Sequence, residues 1–329
     1  MAPTGIYSRL KAYYTGEKGR TTTAVALLIA YTVIYVAPFY LSSTTRPSPS
    51  LSRDAPSVIR GRIRSVTTSC IICSIFTFVL LSSVETGSPI KSIHHMGWFP
   101  IGILEAVKSV GLTAILFLGP LFEGGIAEGE WRAWIRLRGL HTVIGGWIGW
   151  RNFVAGPITE EVLFRSASVP LLLLARTSNT TIIFLTPIIF GLAHIHHFYE
   201  FRITHPDTPV IAAILRSVFQ LAYTTLFGGY VTFLYMRTGS LLGVILVHTF
   251  CNWMGLPRVW GRVTAGESAI TERGLAEGKR SEDGPGRVEN GKLSVVWTVA
   301  YYILLVVGAV SWWKYLWPLT ESELALTLF

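Results

Sequence analysis

Two long segments of this chain carry no charged residue. Residues 24–41 and 66–84 are apolar, and as helices each could cross the roughly 30 Å hydrocarbon core of a bilayer. Six further segments are expected to be spans, at residues 98–122, 157–175, 180–196, 210–236, 239–256 and 294–317. Since unpaired backbone groups are not tolerated in lipid, each span must be a helix. The sequence predicts an all-α polytopic membrane protein with about eight transmembrane helices.

The composition agrees with a membrane protein. Only 14% of the 329 residues are charged, whereas a soluble domain carries about 25%. The net charge of +9 is typical of basic loops beside anionic lipid. No soluble basic domain is evident, so nucleic acid is not an expected partner. The three cysteines, Cys70, Cys73 and Cys251, lie in apolar segments and are interpreted as packing residues rather than redox groups.

The chain is expected to form one helical domain. A polar N-terminal segment, residues 1–23, precedes a membrane domain at 24–317, and residues 318–329 form a tail. The first apolar segment is interpreted as a retained span rather than a cleaved signal peptide, because it is too long for one. Residues 261–293 are rich in Gly, Glu, Lys and Arg and predict a polar loop without a core of its own. The short Trp-rich piece at 141–153 is expected to be interfacial or re-entrant.

Four polar side chains lie in or at the ends of apolar segments: Glu160, His194, His248 and Asn252. An ionisable group at bilayer depth costs at least about 2.5–3.5 kcal/mol on insertion scales. Several such groups on different helices indicate a functional site. Carboxylate and imidazole groups can activate water, and amide and imidazole donors can hold an oxyanion.

The first motif contains two adjacent glutamates. Gly156-Pro157 predicts a helix start with proline in the first turn. Glu161 and Arg165 are four residues apart, so they are expected to pair along the helix. Glu160 then points about 100° away and stays available for chemistry. The alternative is a charge-paired helix start at a membrane interface, without catalysis.

The second motif places Phe190 and His194 on one helical face, four residues apart. Gly191 nearby is expected to allow close helix approach. A lone buried histidine is more often structural than catalytic. His194 is therefore interpreted as functional only because the other two motifs are present. His196 and His197 are interpreted as interfacial side chains.

The third motif places His248 and Asn252 on one face, one turn apart. The amide of Asn252 carries two N–H donors, which suit a developing oxyanion. The alternative is a hydrogen bond that ties two helices together.

Two other chemistries stay open on the residues alone. Glu160, His194 and His248 could be three metal ligands, although the HExxH spacing of common zinc proteases is absent. Cys251, three residues after His248, could be a nucleophile but is also consistent with packing. A carboxylate base is the more economical interpretation.

The three motifs in this order resemble the type II CAAX prenyl endopeptidases, the Ras-converting proteases of the wider ABI (CPBP) membrane family. The resemblance covers about residues 150–255. The matching motifs are Glu160-Glu161-x-x-x-Arg165, Phe190-x-x-x-His194 and His248-x-x-x-Asn252.

The resemblance implies an intramembrane peptidase that removes the last three residues of a prenylated CAAX protein. Glu160 and His194 would activate water, and His248 and Asn252 would form the oxyanion hole. The helices would enclose a catalytic cavity that admits both lipid and water.

The resemblance also implies supporting residues and a location. Glu161, Arg165 and Phe190 would order the site, and neither a metal nor another cofactor would be required. The expected partners are farnesylated or geranylgeranylated CAAX proteins such as small GTPases, together with membrane lipid. The location would be the endoplasmic reticulum membrane, with the active site open to the cytosol. A non-catalytic scaffold of the same fold, a zinc-dependent form of the protease and a transporter are the alternatives.

Overall fold

The computed structural model describes residues 20–49, 51–84, 89–137, 140, 145–264 and 293–329. Most of the polar N-terminal segment, residues 141–144 of the Trp-rich piece and residues 265–292 of the polar loop lie outside this part of the chain. Within it the structure is helical, with one isolated β-bridge between Ser48 and Leu51.

Fifteen α-helices and three π-helical turns follow one another along the described residues. The α-helices are α1 Arg20–Val36, α2 Pro38–Leu41, α3 Pro56–Val84, α4 Pro89–His95, α5 Ile103–Leu116, α6 Leu118–Phe122, α7 Trp131–Ile135, α8 Trp147–Trp150, α9 Gly156–Glu161, α10 Val169–Leu174, α11 Asn179–Ala193, α12 His196–Thr204, α13 Val210–Thr238, α14 Leu241–Met254 and α15 Val295–Thr320. The π-helical turns are Glu123–Ala127, Arg151–Ala155 and Val162–Ala167.

Five stretches of the described residues are long and apolar enough to cross a membrane. They are Thr21–Leu41, Pro56–Val84, Asn179–Thr204, Val210–Thr238 and Val295–Thr320. A sixth is possible if α5 and the following stretch Leu118–Ala127, bent by 80°, count as one span. The chain is therefore an all-α, multi-pass membrane protein. The described residues contain five or six spans of this kind, and the expected number of about eight stays a prediction.

The difference in number arises from three expected spans. Residues 98–122 are broken by the 80° bend. Residues 157–175 are divided between α9, a π-helical turn and α10, and every residue from 161 to 172 is buried. This segment therefore does not meet the length criterion for one continuous span, and it lies among the other helices. The expected span at 239–256 is the 14-residue helix α14, which at 1.5 Å per residue is only about 21 Å long.

The fold divides into two compact units. Unit 1 comprises the described residues up to Ile103, residues Ile158–Val244 and residues Ser322–Phe329. In its core, Tyr31 of α1 shares a hydrogen bond of 2.8 Å with Thr77 of α3, and Thr77 donates to the carbonyl of Ala167 at 2.9 Å. These contacts join α1, α3 and the buried central segment, while α11 packs along α13.

The last eight residues return to unit 1. The amide of Leu326 donates to the carbonyl of Met236 at 2.9 Å. Asn179, at the start of α11, donates to the carbonyl of Leu328 at 2.6 Å. Gly239 is left-handed at φ +60°, and its backbone lies directly against the carbonyl of Leu324, where a Cβ would not fit. The tail therefore packs closely against the ends of α11 and α13.

Unit 2 comprises residues Leu104–Pro157 and Ile245–Glu321. Helix α6 packs on α15, where Gly119 lies so close to Leu305 that a Cβ at Gly119 would be 3.2 Å from the Leu305 Cβ. Glu123 is buried and binds Arg258, with 2.7 Å between Oε1 and Nη2. Burial lowers the pKa of Arg258, but the hydrogen bond and charge of Glu123 outweigh it, so the net shift is upward.

Candidate active site

The first motif lies on a continuous helical path. Regular α-helix does begin at Gly156, but the π-helical turn Arg151–Ala155 precedes it directly. The Gly156 amide donates to the Arg151 carbonyl, a bond across five residues that defines a π-turn. A Cβ at Gly156 would be 2.8 Å from that carbonyl oxygen. The expected start of an α-helix at Gly156-Pro157 is therefore confirmed, and the π-helical turn before it was not expected.

The third motif binds two carbonyl groups of the π-helical turn Arg151–Ala155 within unit 2. Pro157 has no N–H to donate to the Phe153 carbonyl, four residues earlier. The Nδ2 of Asn252 donates to the Asn152 carbonyl at 2.8 Å, and the Thr249 hydroxyl donates to the Phe153 carbonyl at 3.0 Å. One of the two Asn252 donors is therefore used to hold α14 against this turn. His248, one turn earlier on α14, is buried with 6% of its surface exposed.

Glu161 and Arg165 form the expected ion pair in unit 1. Their Oε1 and Nη1 atoms are 3.0 Å apart, and the side chains are 0% and 1% exposed. The Nη2 of Arg165 also donates to the carbonyl of Gly228 at 3.3 Å. A Cβ at Gly228 would be 2.9 Å from the Cβ of Pro187, so the absence of a side chain lets α13 approach closely.

Arg165 connects this ion pair to the second motif. Its guanidinium carbon lies 4.9 Å from the centre of the Phe190 ring, a distance suited to a cation–π contact. The Phe190 ring meets the His194 ring edge-on, with centroids 4.7 Å apart. The predicted shared face of Phe190 and His194 is confirmed. Glu161, Arg165, Phe190 and His194 therefore form a continuous row of contacts.

Gly191 confirms the expected close helix approach beside this row. A Cβ at Gly191 would be 2.6 Å from Leu221 Cδ1 and 2.8 Å from the Thr225 hydroxyl oxygen of α13. Helices α11 and α13 are therefore closer together at Gly191 than a residue with a larger side chain would allow.

His194 lies where the regular helix α11 ends, and its tautomer follows from one hydrogen bond. Its Nδ1 is 2.9 Å from the carbonyl oxygen of Phe190. A carbonyl only accepts, so Nδ1 carries the proton and donates. In the neutral ring the second nitrogen, Nε2, then holds the basic lone pair. The side chain is partly exposed, which allows that nitrogen to meet water.

Glu160 is partly exposed and lies beside polar groups of α1 and α3. It interacts electrostatically with Tyr35, Cys70 and Arg165. The adjacent Thr159 shares a hydrogen bond of 3.0 Å with the Tyr35 hydroxyl, and the Cys70 thiol donates to the Thr159 carbonyl at 3.2 Å. These contacts hold the backbone that carries Glu160. Cys70 therefore has a packing role, in agreement with its interpretation from the sequence.

A second buried carboxylate of unit 1, Glu200, follows the histidine motif, and none of the three sequence motifs contains it. Glu200 is 3% exposed; its Oε1 binds Arg62 Nη2 at 2.6 Å, and its Oε2 is 3.3 Å from His197 Nδ1. Arg53 Nη1 lies 3.8 Å from the same Oε2. The spacing of three residues between His197 and Glu200 was a local signal for this contact, whereas Arg62 is 138 residues away in the sequence.

Among the described residues, one group of side chains has the arrangement of a metal site. His196, His197 and Glu200 offer ligand atoms within 4.8 Å of one another, and the group does not include Glu160, His194 or His248. The two arginines on Glu200 compete with a cation for its oxygens and repel it. The group is therefore a poor fit for a metal ion.

The structure thus places the predicted residues in two groups. Glu160, Glu161, Arg165, Phe190 and His194 belong to unit 1, where the last four form the row described above. His248 and Asn252 belong to unit 2, where Asn252 is held by the Asn152 carbonyl.

Known proteins share these motifs. Residues 142–254 match the family model described as type II CAAX prenyl endopeptidase Rce1-like. The chain is 39% identical to the probable CAAX prenyl protease 2 of Schizosaccharomyces pombe over 234 residues, which cover 71% of this chain and 81% of that protein. The chain belongs to the type II CAAX prenyl endopeptidase family. It is therefore a protease.

Two further relatives of the protease extend this similarity to plants and animals. CAAX prenyl protease 2 of Arabidopsis thaliana is 34% identical over 264 residues, covering 74% of this chain and 82% of the relative. CAAX prenyl protease 2 of Homo sapiens is 32% identical over 246 residues, covering 70% and 71%. No solved structure matches the protease at a significant level.

Proposed function

We propose that this protease removes the C-terminal tripeptide from prenylated CAAX proteins by attack of an activated water molecule. Family membership supports the substrate class. The observation that carries the mechanism is the hydrogen bond from His194 Nδ1 to the Phe190 carbonyl, because it fixes which imidazole nitrogen is basic. Farnesylated or geranylgeranylated proteins, small GTPases among them, are the proposed substrates.

Glu160 and His194 act on the water. One of them takes a proton from the water as its oxygen attacks the carbonyl carbon after the prenylated cysteine. The C–N bond then breaks, and the leaving amine of the tripeptide receives a proton. The donor bond from His194 to the Phe190 carbonyl supports this role, since it keeps the Nε2 lone pair for proton transfer.

His248 and Asn252 supply hydrogen-bond donors to the oxyanion that forms during attack. Asn252 Nδ2 has a second N–H besides the one given to Asn152. Removal of one such donor typically lowers the rate by about 10²–10³. The bond to Asn152 positions the amide before substrate arrives, which is how a preorganised donor lowers the barrier.

Glu161, Arg165 and Phe190 are positioning residues. The ion pair is fully desolvated and Arg165 rests on the Phe190 ring, so the ring that borders His194 has little freedom. A misplacement of about 1 Å at a reacting group can cost about 100-fold in rate. These residues therefore act through His194 rather than on the substrate.

The membrane location follows from the substrate. A prenyl chain partitions into lipid at about 0.8 kcal/mol per buried CH₂, and a multi-pass enzyme meets it there. We place the protease in the endoplasmic reticulum membrane with its active site open to the cytosol, where prenylated proteins arise. Protease protection of an epitope inserted in the segment 255–264 tests this orientation.

The mechanism is proposed to need no metal or other cofactor. A zinc-dependent reaction would instead be abolished by a chelator and restored by zinc at stoichiometric amounts.

The test is cleavage of a farnesylated CAAX peptide by the purified full chain in detergent. Release of the tripeptide is expected with this peptide and not with its non-prenylated twin. Glu160→Gln and His194→Ala are each expected to lower the rate by about 10²–10⁴, while Glu321→Gln, on an exposed side chain, serves as the control. Normal cleavage by either site variant contradicts the mechanism. A folded wild-type sample without activity favours a scaffold.

A further inference from the structure

A cluster of charged side chains lies next to His194. It consists of Arg53, Arg62, His197 and Glu200, and we call it the basic cluster. Glu200 is its buried centre and contacts each of the other three, at 3.8, 2.6 and 3.3 Å. Arg62 precedes the uncharged part of α3 and Glu200 lies near the end of α12, so the basic cluster is at the ends of two apolar spans.

Two guanidinium groups of the basic cluster lie against one carboxylate, with 3.8 Å between Arg53 and Glu200 and 2.6 Å between Arg62 and Glu200. Arg62 donates through Nε and Nη2 to the Thr45 carbonyl and through Nη2 to Glu200. Nη1 makes no hydrogen bond with the described part of the chain, although a guanidinium group has five N–H donors. Arg53 is 27% exposed and Arg62 is 13% exposed, so both can meet a ligand.

This arrangement is suited to an anion with a planar, two-oxygen head. Arginine presents paired N–H groups that match a carboxylate, and such charge-assisted bonds are roughly twice as strong as neutral ones. Glu200 holds Arg62 in place through the 2.6 Å contact, and the Thr45 carbonyl fixes the other side of the same guanidinium.

The basic cluster is also close enough to His194 to act on the same substrate. The His194 and His197 ring centroids are 5.7 Å apart, and His197 contacts Glu200, which contacts both arginines. A CAAX substrate ends in a free carboxylate three residues after the bond to be cut. An extended tripeptide spans about 10 Å.

We propose that Arg53 and Arg62 bind the C-terminal carboxylate of the substrate, while His194 acts at the bond three residues earlier. This inference rests on the proposed function and adds the group that recognises the free chain end. It explains why a carboxylate and two arginines are kept beside a site for a lipid-modified peptide. The prenyl group can stay among the apolar helices while the carboxylate stays at their polar ends.

The experiment compares two farnesylated peptides that differ only at the C-terminus, one with a carboxylate and one with a neutral carboxamide. The purified full chain is expected to cleave the acid with a kcat/KM about ten- to a hundredfold higher than the amide, the size of one charged hydrogen bond. Arg53→Gln and Arg62→Gln are each expected to bring this ratio toward one, mainly by slowing cleavage of the acid. Arg53→Lys is expected to keep part of the preference.

Arg64→Gln is the matched control, since Arg64 is an exposed arginine on the same helix as Arg62, and it is expected to keep the wild-type ratio. If Arg62→Gln does not fold, Arg53→Gln carries the test. Equal cleavage of acid and amide by the wild type overturns the inference and leaves the proposed function intact. An equal loss of activity on both peptides in the arginine variants also overturns it, because the arginines would then be structural. Cleavage of neither peptide overturns the proposed function itself.

Discussion

Glu161 and Glu200 are both buried carboxylates that bind arginine, yet their surroundings differ. Glu161 binds Arg165, and both side chains are at most 1% exposed. Glu200 binds two arginines that remain 13% and 27% exposed. Buried side chains such as Glu161 and Arg165 can stabilise structure, whereas partly exposed arginines can also bind a ligand. Near His194, the pair of Glu161 and Arg165 therefore has a positioning role, and the arginines that bind Glu200 have a role in substrate recognition.

The largest expected effect comes from breaking the ion pair of Glu161 and Arg165. Arg165→Gln leaves Glu161 as an uncompensated buried charge, which should lower the free energy of unfolding by about 3–5 kcal/mol. Thermal unfolding in detergent, followed by tryptophan fluorescence, measures this directly.

A double variant provides the control for that loss. Glu161→Leu with Arg165→Met removes both charges and should recover most of the stability, because apolar replacement of a buried pair is often neutral. Peptidase activity should stay low in the double variant, since the support for Phe190 has changed. A double variant as unstable as Arg165→Gln alone contradicts the assignment of the loss to the unpaired charge.

The next largest effect is expected at Phe190, whose ring lies between Arg165 and His194. Phe190→Leu removes both the contact with Arg165 and the edge contact with His194. The kcat should fall about ten- to a hundredfold with little change in KM, because the variant misplaces a reacting group without touching the substrate. Phe184→Leu on the same helix, where the side chain is 66% exposed, should leave kcat unchanged. A rise in KM alone is the result that would argue for direct substrate contact.

A smaller effect is expected where α13 approaches Arg165. Gly228→Ala forces a Cβ to within 2.9 Å of Pro187 and 3.3 Å of Arg165 Nη2, and overpacking of this kind costs about 1–3 kcal/mol. Gly229→Ala is a matched control, because its Cβ would meet atoms no closer than 3.6 Å. Alanine favours a helix over glycine by about 0.8–1.0 kcal/mol at both positions, so only Gly228→Ala should lower the unfolding temperature. Equal unfolding temperatures for the two variants would show that α13 can move away from α11 far enough to accommodate the added Cβ, and would contradict the prediction.

These contacts also indicate how far sequence reasoning reaches. The ion pair of Glu161 with Arg165 and the contact of Phe190 with His194 follow from helical spacing, and both are confirmed. The contact of Arg62 with Glu200 joins residues 138 positions apart, so no local pattern encodes it.

Two further features lay outside what local patterns predict. Hydropathy does not indicate where a helix is interrupted, so the division of residues 157–175 by a π-helical turn was not predicted. The π-helical turn before Gly156 was missed because proline after glycine usually indicates a helix start.

The smallest expected effect on stability is that of a substitution in the basic cluster. Arg53 is 27% exposed and its contact with Glu200 is 3.8 Å, so Arg53→Gln should change the free energy of unfolding by no more than about 1 kcal/mol. Raising the salt concentration should shrink even this difference, because screening weakens exposed charges first. Unfolding temperatures of the wild type and the variant at low and high salt measure it. A loss as large as that of Arg165→Gln would make Arg53 part of the structural frame. A small loss of stability together with lower selectivity for the acid over the amide would mean that the charge of Arg53 binds the substrate. Arg53 would then differ from Arg165, as its greater solvent exposure implies.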